Sequence, residues 1–172
     1  MCKFLTSRSV LEQTEANGLW ITSINQLFKD NDGTIYLVPR NFTTDGYTIP
    51  DWIAWLGGGR MKWDTRCSTQ HDFECKYAEV IVVNLTEHQL RKMRYLVDHD
   101  NKTICRDIPS YYLTVKKSTF NQANSRFKRM MLATSNIPKW RINMMRFAVN
   151  FNLGWHSCKT SVDLEKIYID EI

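Results

Sequence analysis

Residues 41–77 read NFTTDGYTIPDWIAWLGGGRMKWDTRCSTQHDFECKY, and the parsing of this stretch decides the rest of the chain. Asp45-Gly46 is a turn signal, because Asp bonds its own downstream backbone and Gly accepts the left-handed conformation. Ile49 precedes Pro50 and is pushed toward extended backbone. Pro50 can then open a short helix through Trp55, which Gly57, Gly58 and Gly59 stop. No phosphate-loop lysine follows those glycines, which excludes a nucleotide-binding loop of that type. The segment from Trp63 to Tyr77 reads as a second helix, with Asp64 as its cap.

Cys67, His71 and Cys75 recur every four residues on that helix and so share a face. Both residue types are zinc ligands. Residues eight apart, however, lie about 12 Å apart along a helix axis, too far to share one ion. The spacing favours a face packed into the core.

Outward from this stretch, Leu19–Asn25 (LWITSIN) and Thr34–Val38 (TIYLV) are rich in β-branched and aromatic residues. KDNDG lies between them and ends in Gly33, so the pair reads as a β-hairpin that Pro39 terminates. Val80–Val83 and Tyr111–Val115 read as short strands. Thr86 to Gln89 fits a capping box, opening a helix to about Val97 that would bury Leu90, Met93, Leu96 and Val97. His88 and His99 fall at the two ends of that helix, on solvated positions. Asn101 to Ser110 reads as irregular. Ser118–Leu132 reads as a helix with Phe120, Ala123, Phe127, Met130 and Met131 inward. Pro138 opens a last helix with Trp140, Met144, Phe147, Ala148 and Phe151 as an amphipathic stripe, and Gly154 stops it.

The 172 residues therefore suggest one α+β domain, with an N-terminal β-hairpin or small antiparallel sheet followed by a mostly helical C-terminal half. Within it, residues 1–18 read as an extension, 19–85 as the β-rich part, 86–155 as the helical part and 156–172 as an acidic tail. An apolar content of 43% with 24% charged residues argues against wholesale disorder. No apolar run is long enough to span a membrane, and the N-terminus lacks the apolar core of a signal peptide. The five cysteines (Cys2, Cys67, Cys75, Cys105 and Cys158) include no CxxC pair and read as buried free thiols.

The formal charge of +5 is unevenly placed, with no acidic residue between Asp107 and Asp163. Lys116, Lys117, Arg126, Lys128, Arg129, Lys139, Arg141, Arg146 and Lys159 all fall in that interval. They read as a basic surface for an anionic partner, nucleic acid included, although no recognised nucleic-acid motif is present.

With these segments placed, the chain resembles the phage- and prophage-associated domain-of-unknown-function family numbered 1353. That family carries a phrase F-x-T-D-x-x-S-x-P, followed some twenty to thirty residues later by H-D-x-x-Y. The counterparts are Phe42 to Pro50 (FTTDGYTIP) and His71-Asp72, and Phe147 to Trp155 (FAVNFNLGW) matches the family's closing helix. Thr48 replaces the usual serine and keeps the hydroxyl. Phe73 or Tyr77 stands in for the displaced tyrosine, and the family's following Ala-Asp is absent. The resemblance implies a phage or prophage origin, residence in the host cytoplasm or the virion, and phage or host protein partners, with no established reaction.

The candidate site lies between the Thr44–Pro50 loop and the His71 helix. Asp45, His71 and Asp72 are the residues expected to carry chemistry, with a carboxylate orienting a histidine base. Thr44, Tyr47 and Thr48 would contact substrate, and the Gly57–Gly59 loop would form a rim. His71 and Asp45 could instead hold a divalent metal ion that activates water. In a purely structural alternative, Asp45 caps its own turn and His71 pins the loop to the helix. A third possibility is a virion or assembly component, with Trp52, Trp55 and Trp63 as anchors or as ordinary core.

Overall fold

The structure is a computed structural model, and it describes residues 1–7, 11–13, 20–44, 64–134, 138–150 and 162–164. The described strands begin with β1 (Lys3–Phe4), β2 (Leu11–Gln13), β3 (Trp20–Thr22), β4 (Gln26–Lys29), β5 (Ile35–Val38) and β6 (Thr43–Thr44). Helix α1 (Thr65–Tyr77) follows, then β7 (Glu79–Val83) and the short α2 (Glu87–Lys92). Next come β8 (Leu96–His99), β9 (Lys102–Cys105) and β10 (Leu113–Lys117), and the helices α3 (Phe120–Thr134) and α4 (Lys139–Asn150).

A five-stranded antiparallel sheet, ordered β1-β4-β5-β7-β10, organises the chain. Its two faces are written in the alternation of the strands. Phe28, Tyr36, Val80 and Val82 point to one side, where they meet Phe127, Met130 and Met131 of α3 and Ile142 of α4. Leu27, Ile35, Leu37, Ile81, Val83 and Leu113 point to the other, where Phe73, Leu90, Leu96, Cys105 and Ile108 cover them. Each such fully buried side chain contributes about 1.5–3 kcal/mol through apolar burial. The fold is thus mixed α/β around an antiparallel sheet.

The β4–β5 hairpin turns through Asp30–Thr34, with Gly33 at φ 89°, a left-handed value that glycine adopts without strain. β5 ends at Val38, directly before Pro39. The first expected strand, Leu19–Asn25, is not the hairpin strand, however. Trp20–Thr22 belongs to a separate three-stranded sheet, β2-β3-β6, and the hairpin strand starts only at Gln26. Asn25 makes the division: its side chain donates to Asp107 and accepts from the Arg40 N–H. Those bonds hold the chain between the two sheets.

Two further expectations change. The helix begun by the Thr86–Gln89 capping box stops at Lys92, not Val97. Arg94 adopts φ 60°, its N–H bonds the Arg91 carbonyl, and the Tyr95 N–H bonds the Leu90 carbonyl. This is a Schellman stop with arginine at the position usually held by glycine. Met93 is accordingly exposed, while Leu96 and Val97 enter β8. The stretch expected to be irregular contains β9, paired with β8 across a two-residue turn at Asp100 and Asn101, both at positive φ. That is the backbone of a type I′ hairpin.

The inward face of α3 is as expected at Ala123, Phe127, Met130 and Met131. In α4 Ile142 is buried, whereas two members of the expected stripe are not, Trp140 being 54% and Met144 41% exposed. Phe151 and Gly154 lie outside the described residues, as does the Pro50–Trp55 helix.

Candidate functional site

Helix α1 carries the candidate site, and it is fixed at both ends. Asp64 accepts from the Arg66 N–H and pairs with the Arg66 guanidinium, which also donates to the Thr6 carbonyl and lies 4.3 Å over the Phe4 ring. At the other end Ala78 takes the left-handed conformation, and its N–H closes on the Glu74 carbonyl at 2.8 Å. The helix buries Cys67, Ser68, Thr69, Gln70, Phe73 and Glu74, and packs against α3.

Beside that buried strip lie His71 and Asp72, whose side chains are 12% and 18% exposed. His71 Nε2 is 2.8 Å from Oδ1 of the buried Asn124 on α3. A carbonyl oxygen only accepts, so Nε2 carries the proton and Nδ1 presents its lone pair. Nδ1 stands 4.0 Å from Asp72 Oδ1, and the Cys75 thiol is 3.6–3.7 Å from both ring nitrogens. Burial pushes the His71 pKa below its ordinary value; the Asn124 hydrogen bond and the Glu74 charge oppose the shift without cancelling it. The imidazole is therefore neutral near pH 7.

Asp72 is tied to the strand that leads into the candidate loop: Thr44 Oγ1 donates to Asp72 Oδ2 at 2.5 Å. Phe42, two residues earlier, packs edge-on against Phe73 at 5.2 Å between ring centroids. The structure thus brings together Thr44, His71 and Asp72. Asp45, Tyr47 and Thr48 lie outside the described residues, together with Gly57–Gly59, Trp52, Trp55 and Trp63.

A second polar cluster lies deeper. Glu74 is wholly buried and accepts from Ser118 Oγ at 2.8 Å, from Gln70 Nε2 at 3.3 Å and from Arg126 Nη1. The Arg126 guanidinium also lies 4.2 Å over the Tyr36 ring. The Glu74 charge holds Arg126 protonated against the cost of burial.

This corrects one member of the expected basic surface. Arg126 is 6% exposed and internal. Arg129 makes a bidentate pair with Asp30, and Arg141 lies 5.2 Å over the Trp140 ring. Lys128 and Arg146 are half-buried, while Lys116, Lys117 and Lys139 are exposed. The basic interval is therefore not one surface.

Among the described residues, no three His, Cys, Asp or Glu side chains stand together as an ion site. Cys67 is fully buried, and burial pushes its thiol up to about 12, so it belongs to the core. Sequence reasoning missed Asn124 and Glu74, whereas it placed Cys75 on the His71 face but assigned that face to the core. Asn124 gave a signal in hindsight: it follows Ala123 and precedes Phe127 on the inward face of α3, where an amide requires a buried partner.

No family model, no curated protein and no solved structure matches the chain. The reading of the site rests on its own geometry.

Proposed function

We propose that the chain is a phage-encoded accessory protein whose His71–Asp72 edge is a centre of hydrolytic type. One observation carries the reading: an imidazole held by Asn124 through Nε2 has its unprotonated Nδ1 4.0 Å from a carboxylate, with the Cys75 thiol alongside at 3.7 Å, and Thr44 ties that carboxylate to the loop strand. In this role His71 Nδ1 accepts a proton from an attacking water or hydroxyl, and Asp72 stabilises the imidazolium that forms. Thr44 begins the segment that would contact substrate, continuing through Tyr47 and Thr48, and Asp45 within it would join the catalytic pair. A neutral histidine near pH 7 is the competent form of a base. The phage assignment rests on the resemblance of the Phe42–Pro50 and His71-Asp72 phrases.

The test is a hydrolysis screen over chromogenic esters, anilides and phosphodiesters, with and without added divalent metal, run on the parent, His71→Gln and Asp72→Asn. General-base loss predicts a fall of about 10²-fold or more for His71→Gln on whichever class is cleaved. Turnover that survives His71→Gln, or no turnover of any class, overturns the reading.

A second reading has one specific support. Trp140 and Met144 are exposed on α4, and tryptophan is enriched where interfaces form. As a virion or assembly component the chain would dock through that face, and it would be found at fixed stoichiometry in purified particles. Among the described residues no helix is long and apolar enough to cross a membrane.

A further inference from the structure

The five-stranded sheet ends in two edges that differ in kind. The β1 edge is two residues long, whereas the β10 edge runs for five. Edge strands present unpaired backbone groups and are templates for strand addition unless something covers them.

The register identifies which groups point outward. β10 pairs with β7 so that Thr114 faces Val82 and Lys116 faces Val80. The Asn84 N–H bonds the Tyr112 carbonyl, and the Ser118 N–H bonds the Ala78 carbonyl, each at 2.8 Å. In an antiparallel pair these bonded positions alternate with unbonded ones, so Tyr112, Thr114, Lys116 and Ser118 turn their backbone toward β7. Leu113, Val115 and Lys117 turn theirs away. The Leu113 N–H is taken by the Ser110 carbonyl in the preceding 3-10 turn (Ser110–Tyr112). The Leu113 C=O, both Val115 groups and the Lys117 N–H remain, and among the described residues nothing takes them up.

The charge around this edge sets the partner. Lys116 and Lys117 are exposed on opposite faces of the strand, and among the described residues neither forms an ion pair. The carboxylate of Glu79, which faces Lys117 across the ladder, accepts from the Val162 N–H at 2.7 Å. The half-buried Val115 lies on the same side as Leu113 and Ile81.

We infer that the outer edge of β10 is a strand-addition site for an extended acidic segment of a partner protein. An apolar residue of that segment sits opposite Val115, and the two following positions carry carboxylates facing Lys116 and Lys117. Main-chain bonds supply the affinity and the alternating side chains supply the selection.

The test uses the full chain and a fluorescent eight-residue peptide built from two repeats of Thr-Val-Glu-Glu, followed by fluorescence polarisation. Its counterpart with Lys in place of Glu, a copy N-methylated at every second residue and a single-stranded oligonucleotide serve as comparators. The acidic peptide binds at least tenfold more tightly than the basic one, and the N-methylated copy loses at least tenfold. Val115→Pro removes one outward donor while leaving the bonds of Thr114 and Lys116 to β7, and in the folded variant binding also drops at least tenfold. Lys116→Glu with Lys117→Glu reverses the peptide preference. Equal binding of the N-methylated copy overturns the inference without requiring any variant to fold. So does an oligonucleotide that binds while neither peptide does.

Discussion

Asp72 and Glu74 stand two residues apart on one helix and meet opposite surroundings. Glu74 is wholly buried and takes a hydroxyl, an amide and a guanidinium, so its charge is neutralised where it stands. Asp72 reaches solvent, takes the Thr44 hydroxyl and lies beside an imidazole whose other nitrogen is already engaged. A buried carboxylate with a full set of donors holds α1, α3 and the sheet in one arrangement. A partly exposed carboxylate beside an unprotonated ring nitrogen is placed to steady that imidazole when it takes a proton. The same residue chemistry thus yields a strut on one side of α1 and a candidate centre on the other.

The strongest way to break that contrast is to orphan the strut. Arg126→Leu leaves the Glu74 charge buried without its cation, which costs about 3–5 kcal/mol when one partner of a buried pair is removed. The urea midpoint should fall accordingly. Combining it with Glu74→Leu should restore most of the loss, because the uncompensated charge is gone. If the single variant unfolds at the parent midpoint, Glu74 is not the strut described.

The next effect is a pH dependence on the other side. The folded pKa of His71 lies below its ordinary value of 6.5, so the unfolded chain takes the proton first. Its share of stability is therefore complete above pH 6.5 and is lost as the pH falls through the folded pKa. His71→Gln should cost about 1–2 kcal/mol at neutral pH through the lost bond to Asn124. It should also flatten that acid-side slope, which urea midpoints taken at a series of pH values would show. The groups that face the histidine are Asp72, Glu74 and Cys75, all of which the variant leaves in place. An unchanged slope would mean that His71 is solvated and carries no burial penalty.

A smaller effect tests whether the loop is tied to the centre. Thr44→Val removes the donor to Asp72 and should cost about 1 kcal/mol. If the centre is hydrolytic, it should also lower turnover more than this stability change would.

What was legible in the sequence was local. The Asp64 cap, the Thr86–Gln89 box, the Gly33 turn and the inward apolar positions of α3 are all set by residues a few places apart. The end of α2 was not legible, because Arg94 takes the left-handed position without the glycine that would announce it, while Leu90, Met93, Leu96 and Val97 mimic a continuing helical stripe. The β8–β9 turn was hidden for the same reason, since Asp100 and Asn101 fill a turn in which glycine is the usual second residue. The site divided in the same way. Thr44, His71 and Asp72 could be selected from their phrases, but Asn124 and Arg126 act from another helix. A partner fifty residues away along the chain leaves no local mark. Arg126 even read as surface, because a charged residue on a helix normally is.

The smallest effect sharpens the comparison by leaving both sides intact. Ala78 ends α1 at φ 51°, where its N–H bonds the Glu74 carbonyl and its own carbonyl accepts from Ser118. A Cβ in the left-handed region costs about 1 kcal/mol, and glycine removes that cost while freeing the unfolded chain, for a net gain of about 0.5 kcal/mol. Ala78→Gly should therefore raise the urea midpoint slightly. It touches neither the Arg126 pair nor the Asn124 bond, so the His71 titration followed by NMR should not move. If the midpoint rises and the titration moves with it, the strut and the centre are coupled through the helix end. If the titration stays in place, the two sides of α1 share a backbone and act independently.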